Sequence, residues 1–219
     1  YSFSYWMLDS SSAGSANPLS ILMEGNHTLT PIFSSTSYAY VYIRADGSID
    51  PAGVPLSTSD NVTYMLVGDL NSMITVQRSN VIIDGGGHTL QGSGTAEGFR
   101  LIGVDNVSIT NANIRGFDGG IDLSTSSQDV IAENNITANN GLGISLYNSC
   151  NNTICRNNIA ANKLEGIHLD YSSNFNNINE NNIEDNSYSG IYIDSSSNNL
   201  MYHNNIINNT IQVYVTPHG

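Results

Sequence analysis

The chain has 219 residues, 39% hydrophobic and only 11% charged, with 19 acidic against 6 basic side chains and a net charge of −13. Such a length and apolar content suffice for one large or two small domains with a real core. The acidity argues against nucleic acid and anionic membranes as partners, because phosphate surfaces are gripped by clustered Lys and Arg. No apolar run approaches the ~20 residues that span a bilayer.

Residues 1–33, "YSFSYWMLDSSSAGSANPLSILMEGNHTLTPIF", hold three apolar-alternating stretches around a Ser/Gly/Ala loop and "EGN". They predict a small β-meander carrying Trp6, too small to be stable unless it packs on something. Residues 34–40 read as a linker, and 41–219 as the main domain. The start at Tyr1 rather than Met reads as a processed or truncated product. The stretches "TYMLVGDL", "MITVQ", "NVIIDGGG" and "HTLQGSG" look like strands separated by turns. "DGGGHT" (Asp84–Thr89) is a tight turn, not a phosphate loop, since neither Lys-Ser/Thr nor a helix follows.

The chain has 31 asparagines, and 26 of them lie at or after Asn106. There the sequence repeats. Isoleucines preceded by asparagine recur at Ile114, Ile136, Ile159, Ile183 and Ile206, in steps of 22, 23, 24 and 23 residues. In the same register, Gly120-Ile121, Gly143-Ile144, Gly166-Ile167 and Gly190-Ile191 each open an apolar–x–apolar triplet, with Ile211/Val213 taken as the last of the series. Short alternating runs are strands with one buried face. Three of them per ~23 residues, broken by Asn and Gly, fit no helical repeat but do fit a coil whose turns stack at the strand spacing of ~4.8 Å. The expectation is an all-β fold, a right-handed parallel β-helix of about six turns. Asn suits its corners, because it tolerates left-handed backbone and its amide can bond the copies above and below.

The outward positions of the triplets form two columns: Arg100, Asp122, Ser145, His168, Tyr192, Gln212, and beside it Ile102, Ser124, Tyr147, Asp170, Asp194, Tyr214. His168 and Asp170, flanked by Asp122, Asp194, Tyr147 and Tyr192, form the best chemical cluster in the chain. Carboxylates near a histidine suit Ca²⁺ or acid–base work, and tyrosines suit sugar faces. The competing reading is that outward strand positions are polar in any soluble solenoid. No cofactor is implied beyond such a Ca²⁺ ion. Glu180, Glu184 and Asp185 read as a solvated face. The five histidines are scattered and make no soft-metal set with Met73, Met201 and the cysteines. Cys150 and Cys155 suit either a local disulfide or two free thiols. Sequons stand at Asn26, Asn61, Asn106, Asn151 and Asn208, with a sixth at Asn135. The last turn, "IINNTIQVYVTPHG", offers no polar cap, so either the natural chain continues or another copy docks there, giving head-to-tail assembly.

The period, the N-N-I corners and the G-I-x-L triplets resemble the right-handed parallel β-helix repeat family, in its Asn/Ser-rich surface-protein form from archaea and some bacteria. Within that resemblance "YIRADGSIDPAGVPLSTSDNVTY" (Tyr42–Tyr64) looks like the opening segment and "NVIIDGGGHTLQGSG" like the first full turn. Residues 1–33 resemble the C-terminal half of an internalin-type B-repeat. The family includes polysaccharide lyases, epimerases, copper-pathway periplasmic proteins and non-enzymatic surface proteins, so the resemblance implies a fold more than a function. The N-x-D, D-D, G-H-G and R-x-K set of polygalacturonases and the D-P-H-E of uronan epimerases are absent. The expected role is a non-catalytic extracellular subunit of a surface layer, sheath or filament. The alternative is a module that binds or processes cell-surface glycans, as a lyase or epimerase would.

Overall fold

The computed structural model describes residues 2–22, 24–34 and 40–217. The chain divides into two compact units, Tyr1–Ser37 and Tyr38–Gly219. Most of the expected linker lies outside the described residues.

The first unit is a three-stranded antiparallel sheet of β1 (Ser2–Leu8), β2 (Ser11–Gly14) and β3 (Leu29–Ser34) in the order β2-β1-β3. Asp9 and Ser10, with φ of 48° and 69°, make the tight turn into β2. The Ser/Ala stretch expected as a loop is therefore a strand, while the apolar stretch after Pro18 is not. Asp9 fastens the return of the chain: its carboxylate accepts from the Thr28 amide at 2.8 Å and meets His27 Nδ1 at 2.6 Å.

The second unit is a β-solenoid of about seven turns, with three sheets of nine, eight and six strands. One turn more than expected arises because Tyr40–Ile43 and Met73–Val76, ahead of the clean repeat, join the nine-stranded sheet in parallel. At that N-terminal end, antiparallel strands Ile49–Asp50 and Leu56–Thr58 close two of the sheets. Between them Tyr64 is fully buried and donates its hydroxyl to the Gly47 carbonyl at 2.8 Å. The stacked residues Ile114, Ile136, Ile159 and Ile183 form one fully buried column, and Ile121, Ile144, Ile167 and Ile191 another. Each side chain fills the space over its predecessor, so the core is shared between turns and no turn is stable alone.

From Thr125 onward the corners share one pattern. A left-handed stretch is followed by an inward Asn, Ser or Asp, buried except at the half-buried Asn199 and Asn204. Glu133, Arg156, Glu180 and His203 have φ of 55–58° or close to it, at 58°, 54°, 56° and 55° in turn. They precede Asn134, Asn157, Asn181 and Asn204. In that column Asn134 Nδ2 donates to Asn157 Oδ1 at 3.1 Å, Asn157 to Asn181 at 3.0 Å, and Asn181 to Asn204 at 3.0 Å. Each Oδ1 also accepts the backbone amide of the previous Asn, and each Nδ2 also reaches a carbonyl such as Ile131 O. Asn139, Asn162, Asn186 and Asn209 repeat the arrangement at a second corner. The expected ladders exist. Their asparagines, however, stand one residue after the left-handed position, which is filled by Ala, Arg, Glu or Asp as readily as by Asn. The sharp corner strands backbone groups in the interior, and the inward amide satisfies them.

The cysteines are not bonded to each other. Cys155 is buried, and burial pushes its thiol up, while Cys150 Sγ lies 3.2 Å from Ser172 O in the next turn. A left-handed corner at Asn151 separates them. Asn61, Asn106, Asn151 and Asn208 are exposed left-handed corner residues and Asn26 is exposed, whereas Asn135 is tied into an outer amide ladder with Asn113 and Asn158.

Candidate functional site

The nine-stranded sheet carries all six candidate residues on its outer face. Alternation puts Ile121, Leu123, Ile144, Leu146, Ile167, Leu169, Ile191 and Ile193 in the core and turns the residues between them outward. Parallel pairing stacks these as Arg100, Asp122, Ser145, His168, Tyr192 and Tyr214. Beside them run Ile102, Ser124, Tyr147 and Asp170, with Asp194 following Ile193.

One position differs from expectation: Tyr192 faces Tyr214, not Gln212. The corner from Asn209 to the last strand is one residue shorter than the three before it, and Gln212 occupies the place of the missing glycine. A Cβ on Gly190 would lie 2.7 Å from Gln212 O, as one on Gly166 would from Gly190 O. Without that glycine, Ile211/Val213 passed for the triplet that Val213/Val215 actually form.

The correction completes an aromatic ladder. The His168 and Tyr192 rings are 4.7 Å apart, and Tyr192 and Tyr214 stack at 5.3 Å with 22° between planes. Beside them Tyr147 lies 4.4 Å from Tyr171. Tyr171 escaped the sequence reading because it stands in a left-handed corner, φ 51°, rather than in a strand. That backbone turns its ring onto the preceding turn, where it remains 58% exposed.

Carboxylates border the rings. Burial holds the Asp122 carboxyl above its usual range and Glu97 adds to this, while hydrogen bonds from Ser124 and Ser145 and the charge of Arg100 oppose it. Ser145 Oγ donates to Asp122 Oδ1 at 3.2 Å and Ser124 Oγ to Oδ2 at 3.1 Å. Asp170 accepts the Tyr171 amide at 2.7 Å, and Asp194 accepts the hydroxyls of Ser195 and Thr216. Burial pushes the phenols of Tyr147 and Tyr192 up, and the negative charges of Asp170 and Asp194 push the same way. Arg100, the cation of these columns, is three strands from His168, roughly 14 Å. The face can stack rings on an extended ligand, accept hydrogen bonds and attract positive charge.

Among the described residues, no three of His, Cys, Asp and Glu converge as a metal site. Glu180 meets Arg156 at 3.9 Å, and Glu184 accepts from Asn182 at 2.8 Å, so these acids serve the surface.

The model of the NosD family, described as periplasmic copper-binding protein, matches residues 33–219. The chain belongs to the NosD family. Its right-handed parallel β-helix is the expected fold, and the family's periplasmic description agrees with the extracytoplasmic placement read from the sequence. Among solved structures, this NosD chain is similar to the periplasmic alginate epimerase AlgG, at 22% identity and a TM-score of 0.58, over 68% of this chain and 37% of that one. A mutant of that epimerase matches at 20% identity and 0.57, over 68% and 38%. The NosD chain thus spans little more than a third of the epimerase, and the likeness is one of fold. No curated protein matches. No helix is long and apolar enough to cross a membrane, among the described residues.

Proposed function

We propose that this NosD-family chain is an extracytoplasmic polysaccharide-binding module that holds a glycan along the nine-stranded sheet. The carrying observation is the ladder of His168, Tyr192 and Tyr214 beside Tyr147 and Tyr171. Aromatic rings with polar tips bind surfaces that are apolar on one side and wet on the other, as sugar rings are. The ladder follows the solenoid axis, so it suits a linear polymer rather than a compact ligand. A solved neighbour named for alginate supports a glycan role over a purely structural one. Processing of the bound chain, the finer form of this reading, would fall to His168, with Tyr192 against its ring.

Copper, named in the family description, fits these residues poorly. Among the described residues, His168 lies beside Ser145 and Tyr192, His88 meets Asp69 at 3.7 Å, and Cys155 is buried with its thiol pushed up by that burial, so no soft set of nitrogen and sulfur ligands assembles there. No step through copper is derived.

Native affinity electrophoresis in gels containing neutral, anionic or amine-bearing polysaccharides tests the main reading. At least one polymer should retard the protein, and Tyr192→Ala should abolish the retardation while the circular dichroism spectrum is unchanged. Unretarded migration in every gel would overturn it, as would retardation of Tyr192→Ala and Tyr147→Ala equal to that of the native protein.

A further inference from the structure

The sign of the charge on this face narrows the ligand, granted that the face binds glycans at all. On the strands that carry the rings, Gly143–Val215, the outward side chains are Ser145, Tyr147, His168, Asp170, Tyr192, Asp194 and Tyr214, with no Lys or Arg among them. Glu165 stands just before the strand of His168, and Asp122 lies one turn back from Ser145. Arg100 is the nearest cation in the columns, and Lys163 sits on a corner before Glu165. Four carboxylates thus lie on or beside a ladder of electron-rich rings.

Such a surface disfavours a polyuronate. Every sugar of that polymer carries a carboxylate, and like charges set against one another in a partly desolvated interface cost several kcal/mol. The half-buried placement of Asp170, Asp194 and His168 adds to this, since screening by salt is weaker there than in open water. A sugar bearing an ammonium group meets the opposite situation. Its ring packs along the outward edges of the stacked rings, its positive charge meets the field of the carboxylates, and its N–H groups donate to them. Burial raises the Tyr147 and Tyr192 phenols, and the charges of Asp170 and Asp194 push the same way.

We propose that the ring ladder selects an amine-bearing polysaccharide, with ring contacts from Tyr147, Tyr192 and Tyr214 and ammonium recognition by Asp170 and Asp194. The carboxylates lie along one column about a strand spacing apart, so an extended chain running along that column passes both acceptors.

The test compares two oligosaccharides of equal length, a β-1,4-linked glucosamine hexamer and its fully N-acetylated form, with an oligouronate as third probe, by isothermal titration calorimetry at pH 6. The expected result is at least tenfold tighter binding of the amine form, no heat from the oligouronate, and loss of most of the preference at high salt. Asp170→Asn, which keeps the acceptor for the Tyr171 amide, combined with Asp194→Asn, should equalise the two hexamers. Tyr192→Ala should weaken both. Equal affinity of the two hexamers for the native protein, or tighter binding of the oligouronate, overturns the amine preference and leaves the glycan-binding reading standing. Binding of none of the three, together with unretarded migration in every polysaccharide gel, overturns both.

Discussion

Replacement of Asp129 by asparagine should stabilise the protein above pH 6 and leave it unchanged near pH 4. Asp129 follows the left-handed Gln128, at the corner where the next three turns place Asn152, Asn176 and Asn199. It is 1% exposed, and burial pushes its carboxyl up to about 6 from 3.8, against hydrogen bonds from the Val107 amide and Ser126 Oγ at 2.8 and 2.7 Å. Between those two values the native state binds the proton more tightly than the unfolded chain. Stability therefore falls as pH rises from about 4 to about 6 and stays low above. A shift of about 2 units corresponds to roughly 3 kcal/mol lost at neutral pH. The asparagine amide is neutral and fits the site: Oδ1 keeps the Val107 amide, and Nδ2 can reach the Val104 carbonyl as Asn152 reaches Ser126 at 3.2 Å. Asp9, Asp46 and Asp60, all held below the usual range, lose stability on acidification in both proteins and cancel in the difference. Guanidinium unfolding followed by circular dichroism, from pH 4 to 8, measures that difference. A gap between variant and wild type that is constant across this range, or a less stable variant at pH 7.5, would refute the reasoning.

The inner and outer amide ladders should differ in cost. Asn157→Ala leaves the Asn134 amide and the Ile131 carbonyl without their buried partner, a loss of about 2–4 kcal/mol of unfolding free energy in a denaturant titration, whereas Asn158→Ala on the outer ladder should cost less than about 1 kcal/mol. Gly143→Ala puts a Cβ 2.4 Å from Gly166 O and should destabilise by about 1–3 kcal/mol, while Gly25→Ala, with open space around it, should be silent in the same assay. Thiol titration should find two free thiols in denaturant and, in the native state, a faster reaction at Cys150 than at Cys155.

The repeat was legible because one physical demand recurs at every turn. An isoleucine must fill the core over its predecessor, and an inward amide must satisfy the corner. These two needs fixed Ile114 to Ile206 and the asparagine columns in the sequence before any coordinates. Readings that rested on local propensity fared less well. "Asn prefers left-handed backbone" put the asparagines one residue early, since the corner itself is set by stacking and tolerates Glu133, Arg156 and Ala161. The glycine that marks each sheet is absent at Gln212, so the last triplet slipped by two residues and Tyr214 landed in the wrong column. Tyr171 was invisible because a corner residue has no alternation to betray which way it faces. Asp129 was missed for the opposite reason: it sits where asparagine repeats, and an acid there reads as ordinary surface until its burial is known.

The same ladders that made the fold legible explain why its function was not. Inner columns contact their copies above and below, so a change at Ile159 or Asn157 is felt by two turns at once. Outer columns on the nine-stranded sheet carry no such obligation, and their succession from Arg100 through Asp122, Ser145 and His168 to Tyr192 and Tyr214 has no period to follow. A scaffold of constant rise therefore presents a freely chosen row of side chains at intervals of ~4.8 Å. Affinity for a linear polymer then depends on how many consecutive positions are aromatic, and selectivity on the charge between them. In this chain the aromatic positions gather on the last turns and cations are missing there. Those two irregularities, rather than the repeat itself, carry the information about the ligand.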